Sequence, residues 1–114
     1  NFYYLGQKNF TQLPSYIKNC NVGIIPFKRS DFTNEISPLK MFEYLACGRP
    51  VISAGINQVL PYEGSVKIYR DEDSLADSIR QAIDEGDKRS EEYRAIAAKN
   101  SWTERFNQIV KLCL

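Results

Sequence analysis

Residues 34–53 read NEISPLKMFEYLACGRPVIS and predict a helix, a turn and a strand in succession. Ser37 suits the N-cap of a helix, and Pro38 suits the first helical position, where its missing N–H costs no hydrogen bond. The helix is expected to end just before Gly48, because glycine readily adopts the left-handed conformation that closes helices. The short apolar run PVIS, which starts at Pro50, then predicts a strand that is buried on both faces.

Strands and helices alternate along the rest of the chain. Further strands are predicted at residues 1–5, 22–27 and 66–69, and further helices at residues 10–19, 73–85, 90–99 and 102–112. Short strands that alternate with helices are typical of a parallel sheet with helical crossovers. The sequence therefore predicts an α/β fold, with a Rossmann-like parallel sheet of about four strands followed by C-terminal helices.

Composition excludes several classes of function. The 114 residues suffice for one domain, and 15 Lys and Arg against 14 Asp and Glu leave a net charge of +1. This balance argues against a nucleic-acid partner, which requires a basic excess. Three widely spaced cysteines without any histidine argue against a zinc site and favour a reducing compartment. No apolar run is long enough to span a bilayer.

The aromatic residues are interpreted as packing residues. Trp102 is expected to anchor the core between the last helices. Tyr3, Tyr4, Phe10 and Tyr16 are expected to pack in the core and at the sheet edge rather than to form a platform for stacked bases.

The charges around the 38–47 helix point to a ligand site. In open α/β sheets ligands bind beyond the carboxyl ends of the strands, and this helix begins at such an end. Its free N–H groups and dipole suit an anion such as a diphosphate, and Lys40 adds a cation. Glu43 lies three residues further along, where a carboxylate can accept two hydrogen bonds from a vicinal diol such as a ribose. A solvated Lys40–Glu43 surface pair is the alternative interpretation.

The same stretch resembles the donor-binding core of retaining nucleotide-sugar glycosyltransferases of the GT-B fold, family 4, also called group 1. That family has two glutamates separated by seven residues, as Glu35 and Glu43 are, followed by a turn that LACGRPV matches. PLKMFEYL is similar to one subgroup. YLGQKNFTQLPSYIKNCNVGIIPF resembles the family's strand–glycine–helix–strand lead-in, and NSWTERFNQIV resembles its closing helix. The resemblance implies that residues 1–114 are one donor-binding domain, a partial GT-B C-terminal domain from a longer enzyme.

Three roles follow from the resemblance, position by position. Glu43 would hold the ribose hydroxyls, Glu35 would face the donor sugar, and the backbone at Lys8 would meet the nucleobase. The resemblance implies no bound metal and no cofactor. Glu43 would position the nucleotide without transferring a proton, and no catalytic residue is assigned.

The resemblance places the diphosphate at Ser37, Leu39 and Lys40. Many family members have Gly-Phe-Gly between the glutamates, where this chain has residues 36–38, Ile-Ser-Pro. Pro38 removes one N–H donor, so the phosphate contacts are expected to shift to its neighbours or to the Lys40 ammonium.

The function implied is therefore the donor-binding part of an enzyme that moves a hexosyl group from a UDP- or GDP-linked sugar to an acceptor hydroxyl, in bacterial polysaccharide or glycoconjugate synthesis. The acceptor domain would precede residue 1, so the chain alone is expected to be inactive. A cytoplasmic location, peripheral membrane association of the full-length protein and self-association of the fragment through open sheet edges are further expectations. A non-catalytic nucleotide-binding or interaction module is the alternative, whereas a dinucleotide oxidoreductase is disfavoured because no GxGxxG follows a strand.

Overall fold

A computed structural model describes residues 2–114 and contains one three-stranded parallel sheet with helical connections. The strands are β1 (Gly23–Ile25), β2 (Val51–Ala54) and β3 (Val66–Tyr69). The helices are α1 (Leu13–Lys18), α2 (Asp31–Asn34), α3 (Leu39–Ala46), α4 (Glu72–Glu85), α5 (Ser90–Lys99) and α6 (Trp102–Cys113), with 3₁₀ turns at Leu60–Tyr62 and Gly86–Arg89. None of these helices combines the length and the apolar character that crossing a bilayer requires.

The sheet confirms the predicted α/β class but has one strand fewer than expected. Its order is β1-β2-β3, and all pairs are parallel, with Gly23 opposite Val51 and Val51 opposite Val66. The strand predicted at residues 1–5 is wrong for residues 2–5, which form no strand and are exposed; residue 1 lies outside the described residues. Aromatic residues favour strands only where a neighbouring strand supplies hydrogen bonds, and none pairs with residues 2–5.

The core lies between the sheet and α3, and α5 packs against α3. Met41 and Leu45 of α3 are fully buried against the sheet, in which Val51 and Ile52 of β2 are also fully buried. Tyr93 of α5 joins this core with only 1% of its surface exposed. Burying large apolar side chains in this way fixes the position of α3, which carries three of the six predicted site residues, namely Leu39, Lys40 and Glu43.

The end of α3 follows the sequence signals closely. Gly48 has φ +73°, its N–H donates to the Leu45 carbonyl at 2.9 Å, and the Arg49 N–H donates to the Tyr44 carbonyl at 3.0 Å. These two bonds form a Schellman motif, which explains why glycine is required at this turn.

The observed start of α3 differs by one residue from the start that the sequence predicts. Pro38 occupies the N-cap and Leu39 is the first helical residue, whereas the sequence placed Ser37 at the cap and Pro38 inside the helix. The Ser37 side chain makes no capping bond; its carbonyl instead accepts the Leu39 N–H at 3.0 Å. This tight turn shifts the helix start by one residue.

A polar network ties β3 to α4 and α5 at the amino edge of the sheet. Lys67 Nζ lies 2.7 Å from a Glu85 carboxylate oxygen, and the Tyr93 hydroxyl donates to Glu85 at 3.3 Å. The hydrogen bond from Lys67 is the main cause that lowers the pKa of Glu85, with Tyr93 and Arg89 adding to it. Burial raises the pKa of Tyr93 to about 12.

Several aromatic residues are exposed where the sequence predicted packing. Trp102 is 78% exposed, and no residue of α6 is fully buried, so Trp102 is not a core anchor. Tyr3, Tyr4, Phe10 and Tyr16 are also classed as exposed, so their expected place in the core is wrong. Periodicity predicts an amphipathic helix, but it does not show which element of the fold covers the apolar face.

Candidate functional site

The loop after β1 carries the chain to the start of α3. Within it, α2 is held by a capping box in which the Ser30 side chain accepts the Thr33 N–H and the Thr33 hydroxyl accepts the Ser30 N–H. The Thr33 hydroxyl also donates to the Lys28 carbonyl at 2.8 Å. The folded loop delivers the first turn of α3 to the carboxyl end of β1, where ligands bind in open α/β sheets.

Two concave regions flank the first turns of α3. The larger, here called the helix groove, has a volume of about 880 Å³ and lies between α3 and the α5–α6 junction. It is lined by Phe10, Ser37, Leu39, Phe42, Glu43, Ala46, Arg94, Ala97, Ala98, Asn100, Ser101, Trp102 and Arg105.

The smaller region, here called the strand-end cavity, has a volume of about 430 Å³. It is lined by residues 24–27 at the end of β1, residues 36–40 at the start of α3, and Tyr44. Ser37 and Leu39 line both regions, so one extended ligand can contact both by passing over the first turn of α3.

Glu43 faces the helix groove, and its carboxylate has no charged partner among the described residues. Its side chain is half-buried, and among residues 2–114 it forms no salt bridge or side-chain hydrogen bond. A carboxylate taken partly out of water without a partner costs folding free energy. Glu43 is therefore not part of a Lys40–Glu43 salt bridge, and its oxygens remain free to accept hydrogen bonds from a ligand.

The diphosphate residues predicted from the sequence lie together at the start of α3. Ser37 and Leu39 line both concave regions, and Lys40 lines the strand-end cavity with an exposed side chain. The Leu39 N–H is engaged by the Ser37 carbonyl. The Lys40 N–H has no backbone partner among the turn and cap bonds of residues 2–114, which leaves it as the donor available to an anion.

Two other predicted site residues lie apart from these regions. Glu35 is exposed at the C-cap of α2, where its N–H donates to the Phe32 carbonyl at 3.3 Å. The Lys8 ammonium sits 5.1 Å from the centroid of the Tyr16 ring. Neither Glu35 nor Lys8 lines the helix groove or the strand-end cavity.

The opposite wall of the helix groove contains residues that the sequence did not single out. Arg105 lies over the Phe42 ring, with 5.7 Å between Cζ and the ring centroid, and its Nε donates to the Asn100 carbonyl at 3.3 Å. The Asn100 side chain accepts a 2.8 Å hydrogen bond from the Tyr62 hydroxyl. Tyr62 in turn packs edge-on against Phe42, with ring centroids 5.6 Å apart.

Tyr44 is, with Lys40, one of two titratable side chains that line the strand-end cavity. Burial raises the pKa of its phenol, and the nearby Cys20 and Glu43 raise it further. A tyrosine hydroxyl is protonated at neutral pH even at its ordinary pKa of about 10, so the Tyr44 hydroxyl is able to donate a hydrogen bond.

Comparisons with known proteins identify the family of this chain. A family model described as glycosyl transferase-like matches residues 1–111, nearly the whole chain. The chain belongs to this glycosyltransferase family.

A similar protein is the putative teichuronic acid biosynthesis glycosyltransferase TuaH of Bacillus subtilis (strain 168). It is 31% identical to this glycosyltransferase chain over 121 residues, which cover 97% of the chain and 30% of that relative. The chain thus spans less than a third of the relative's length. No solved structure matches the chain.

Proposed function

We propose that this chain is the donor-binding part of the glycosyltransferase and that it binds a nucleotide sugar along the first turns of α3. The observation that carries the proposal is the free, half-buried Glu43 carboxylate in a groove that continues over Ser37 and Leu39 into the strand-end cavity. A ribose diol at Glu43 would satisfy the carboxylate, as two O–H groups donate to its oxygens. This interaction positions the nucleotide and transfers no proton.

The diphosphate of the donor would lie over the start of α3. The Lys40 N–H and the positive end of the helix dipole favour an anion there, and the Lys40 ammonium adds a charge beside the strand-end cavity. In the reaction, the bond between the anomeric carbon and the diphosphate oxygen breaks, and a bond to the acceptor oxygen forms on the same face of the sugar. The proton of the acceptor hydroxyl passes to the departing diphosphate. Negative charge grows on the departing diphosphate, so these groups would lower the barrier by stabilising it.

The sugar would then extend into the strand-end cavity, with Glu35 reaching it only if the α2–α3 loop closes over the ligand. The nucleobase would lie beyond Glu43, on the side where Phe10 lines the helix groove and the Lys8 backbone precedes it. We expect a hexosyl donor linked to UDP or GDP and neither metal nor cofactor.

The whole enzyme would act in bacterial polysaccharide or glycoconjugate synthesis, in line with the name of the teichuronic acid biosynthesis relative. We place it in the cytoplasm, with peripheral membrane association of the full-length protein. The acceptor would be held by a domain outside residues 1–114, so the chain alone is expected to bind donor without transferring sugar.

Calorimetric titration of the chain with UDP, GDP and their sugars tests this proposal. Glu43→Ala is expected to weaken binding about tenfold or more, because it removes hydrogen bonds to a charged acceptor. Glu72→Ala, which removes an exposed glutamate from α4, serves as the matched control and should bind like the wild type.

A deoxynucleotide separates a diol contact from a general effect of charge. The wild type should prefer UDP to 2′-deoxy-UDP, or GDP to 2′-deoxy-GDP, and Glu43→Ala should lose this preference. Equal binding by the wild type and Glu43→Ala would remove Glu43 from the site and favour a non-catalytic interaction module. Sugar transfer by the chain alone would contradict the proposed division between donor and acceptor domains.

A further inference from the structure

Arg105 is a positioned cation on the α6 wall of the helix groove. Its guanidinium is held by the Phe42 ring and by the Asn100 carbonyl, and Asn100 is itself fixed by the Tyr62 hydroxyl. Among residues 2–114 it forms no salt bridge, whereas Arg94 on the same groove pairs with Glu91. A guanidinium that is oriented but not neutralised is suited to binding an anion.

Opposite charges therefore line one groove without pairing. Glu43 on α3 and Arg105 on α6 both lack an ionic partner among the described residues, although they share the groove. A ligand that complements this arrangement carries hydroxyl donors at one point and an anionic group at another. A nucleoside diphosphate has both, and it adds an aromatic base.

Trp102 supplies an aromatic surface on the same wall. It is one helical turn before Arg105, lines the helix groove and has 78% of its surface exposed. Exposed tryptophan in an apolar groove is suited to stacking with a nucleobase, because every base presents a π-face.

We propose that α6 forms the second wall of the nucleotide site, in which Arg105 binds a phosphate oxygen and Trp102 contacts the base. This inference rests on the proposed function and extends it from α3 to α6, which is far away in the sequence. The neighbouring α3 wall would hold the ribose through Glu43, so that the nucleotide lies between the two helices.

Tryptophan fluorescence gives a direct test, because Trp102 is the single tryptophan of the chain. Titration of the chain with UDP or GDP is expected to change its emission with the same Kd that calorimetry gives. Trp102→Ala should weaken nucleoside and nucleotide binding alike, by about tenfold. Phe106→Ala is the matched control, since Phe106 is an exposed aromatic residue of α6 that does not line the groove.

Arg105 is tested by comparing a nucleoside diphosphate with its nucleoside. Arg105→Gln is expected to weaken UDP or GDP about tenfold and to leave uridine or guanosine within about twofold. Arg105→Lys keeps the charge and should retain most of the affinity for the diphosphate, while Arg80→Gln, an exposed change on α4, should have no effect. Circular dichroism of each variant checks that the fold is intact.

The outcomes separate this inference from the proposed function. If nucleotide binding depends on Glu43 but is insensitive to Trp102→Ala and Arg105→Gln, and the fluorescence does not change, the proposed donor site stands. The proposal that α6 forms its second wall is then overturned. Equal weakening of nucleoside and diphosphate by Arg105→Gln would show that Arg105 shapes the groove rather than binds phosphate. Absence of any nucleotide binding would overturn both proposals.

Discussion

Replacing Gly23 by alanine should destabilise the fold by forcing Tyr44 away from β1. A Cβ at Gly23 would lie 2.5 Å from Cγ and 2.8 Å from Cε2 of the Tyr44 ring, and closer still to Cδ2. Ordinary contacts of this kind begin at 3.4 Å, so the ring must retreat by roughly 1 Å. The conflict is purely steric, because Gly23 does not have a positive φ angle.

The residues around Gly23 and Tyr44 leave little room for the Tyr44 ring or the strand to move. The Gly23 N–H donates to the Pro50 carbonyl at 2.9 Å and Gly23 pairs with Val51, so the strand is held on one side. On the other side, Met41 and Leu45 are fully buried and hold α3. Overpacking of this kind costs about 1–3 kcal/mol, and a cost near 2 kcal/mol lowers the folding equilibrium constant by about 30-fold. For a domain of this size the midpoint of thermal unfolding should fall by about 10 °C.

Urea and thermal unfolding followed by circular dichroism measure this cost, and a double-mutant cycle identifies its origin. In a Tyr44→Ala background the ring is absent, and Gly23→Ala should become neutral or stabilise the protein by up to about 1 kcal/mol, since alanine reduces the entropy of the unfolded chain. A loss of less than about 0.5 kcal/mol in the wild-type background, or the same loss in both backgrounds, would refute the steric argument.

Two further substitutions test the turn after α3 and the network at the amino edge. Gly48→Ala places an L side chain at φ +73° and brings its Cβ to 2.8 Å from Nη2 of Arg94. We therefore expect urea unfolding to show that the free energy of unfolding falls by about 1–2 kcal/mol. Unchanged stability would contradict the requirement for a left-handed glycine at position 48. The hydrogen bond from Lys67 lowers the pKa of Glu85 in the folded state. The ionised Glu85 carboxylate therefore stabilises the fold above the ordinary carboxyl pKa of about 4.3, and this stabilisation is lost as the pH falls through the lower folded pKa. Thermal melts across this range should show that Glu85→Gln is less stable than the wild type at neutral pH and that the difference narrows in acid.

The α3–β2 unit was predictable because its signals are local. Gly48 and Pro50 fix the end of α3 and the start of β2 through backbone conformation alone, and the structure confirms both boundaries to within one residue. Parallel order also follows from the alternation of strands and helices. The start of α3 at Leu39 was missed by one residue because the Ser37–Leu39 turn competes with a side-chain cap at Ser37.

The elements that depend on distant partners were less predictable. Residues 2–5 have strand-favouring side chains, but no strand among the described residues pairs with them. Trp102 is a large aromatic residue of the kind that often packs in a core, but it lies on an exposed helix face. Local propensity decides what a segment can form, whereas burial depends on the element that packs against it.

The helix groove illustrates the same limit for function. Glu43 could be proposed as a ribose-binding residue because it lies in one short stretch whose sequence resembles the family motif. Arg105 could not, because its contact with Phe42 joins residues from α6 and α3 that are distant in the chain. A site wall built by tertiary packing leaves no spacing pattern in the sequence.

Polar contacts around the turn after α3 tie this helix to the start of α5. The Ser90 hydroxyl donates to the Gly48 carbonyl at 2.8 Å, and Arg49 pairs with Asp87 at 2.8 Å, so the end of α3 is tied to the segment that begins α5. Under the proposed function, a Glu43 carboxylate that has no ionic partner among the described residues can accept hydrogen bonds from a nucleotide without first giving up a salt bridge.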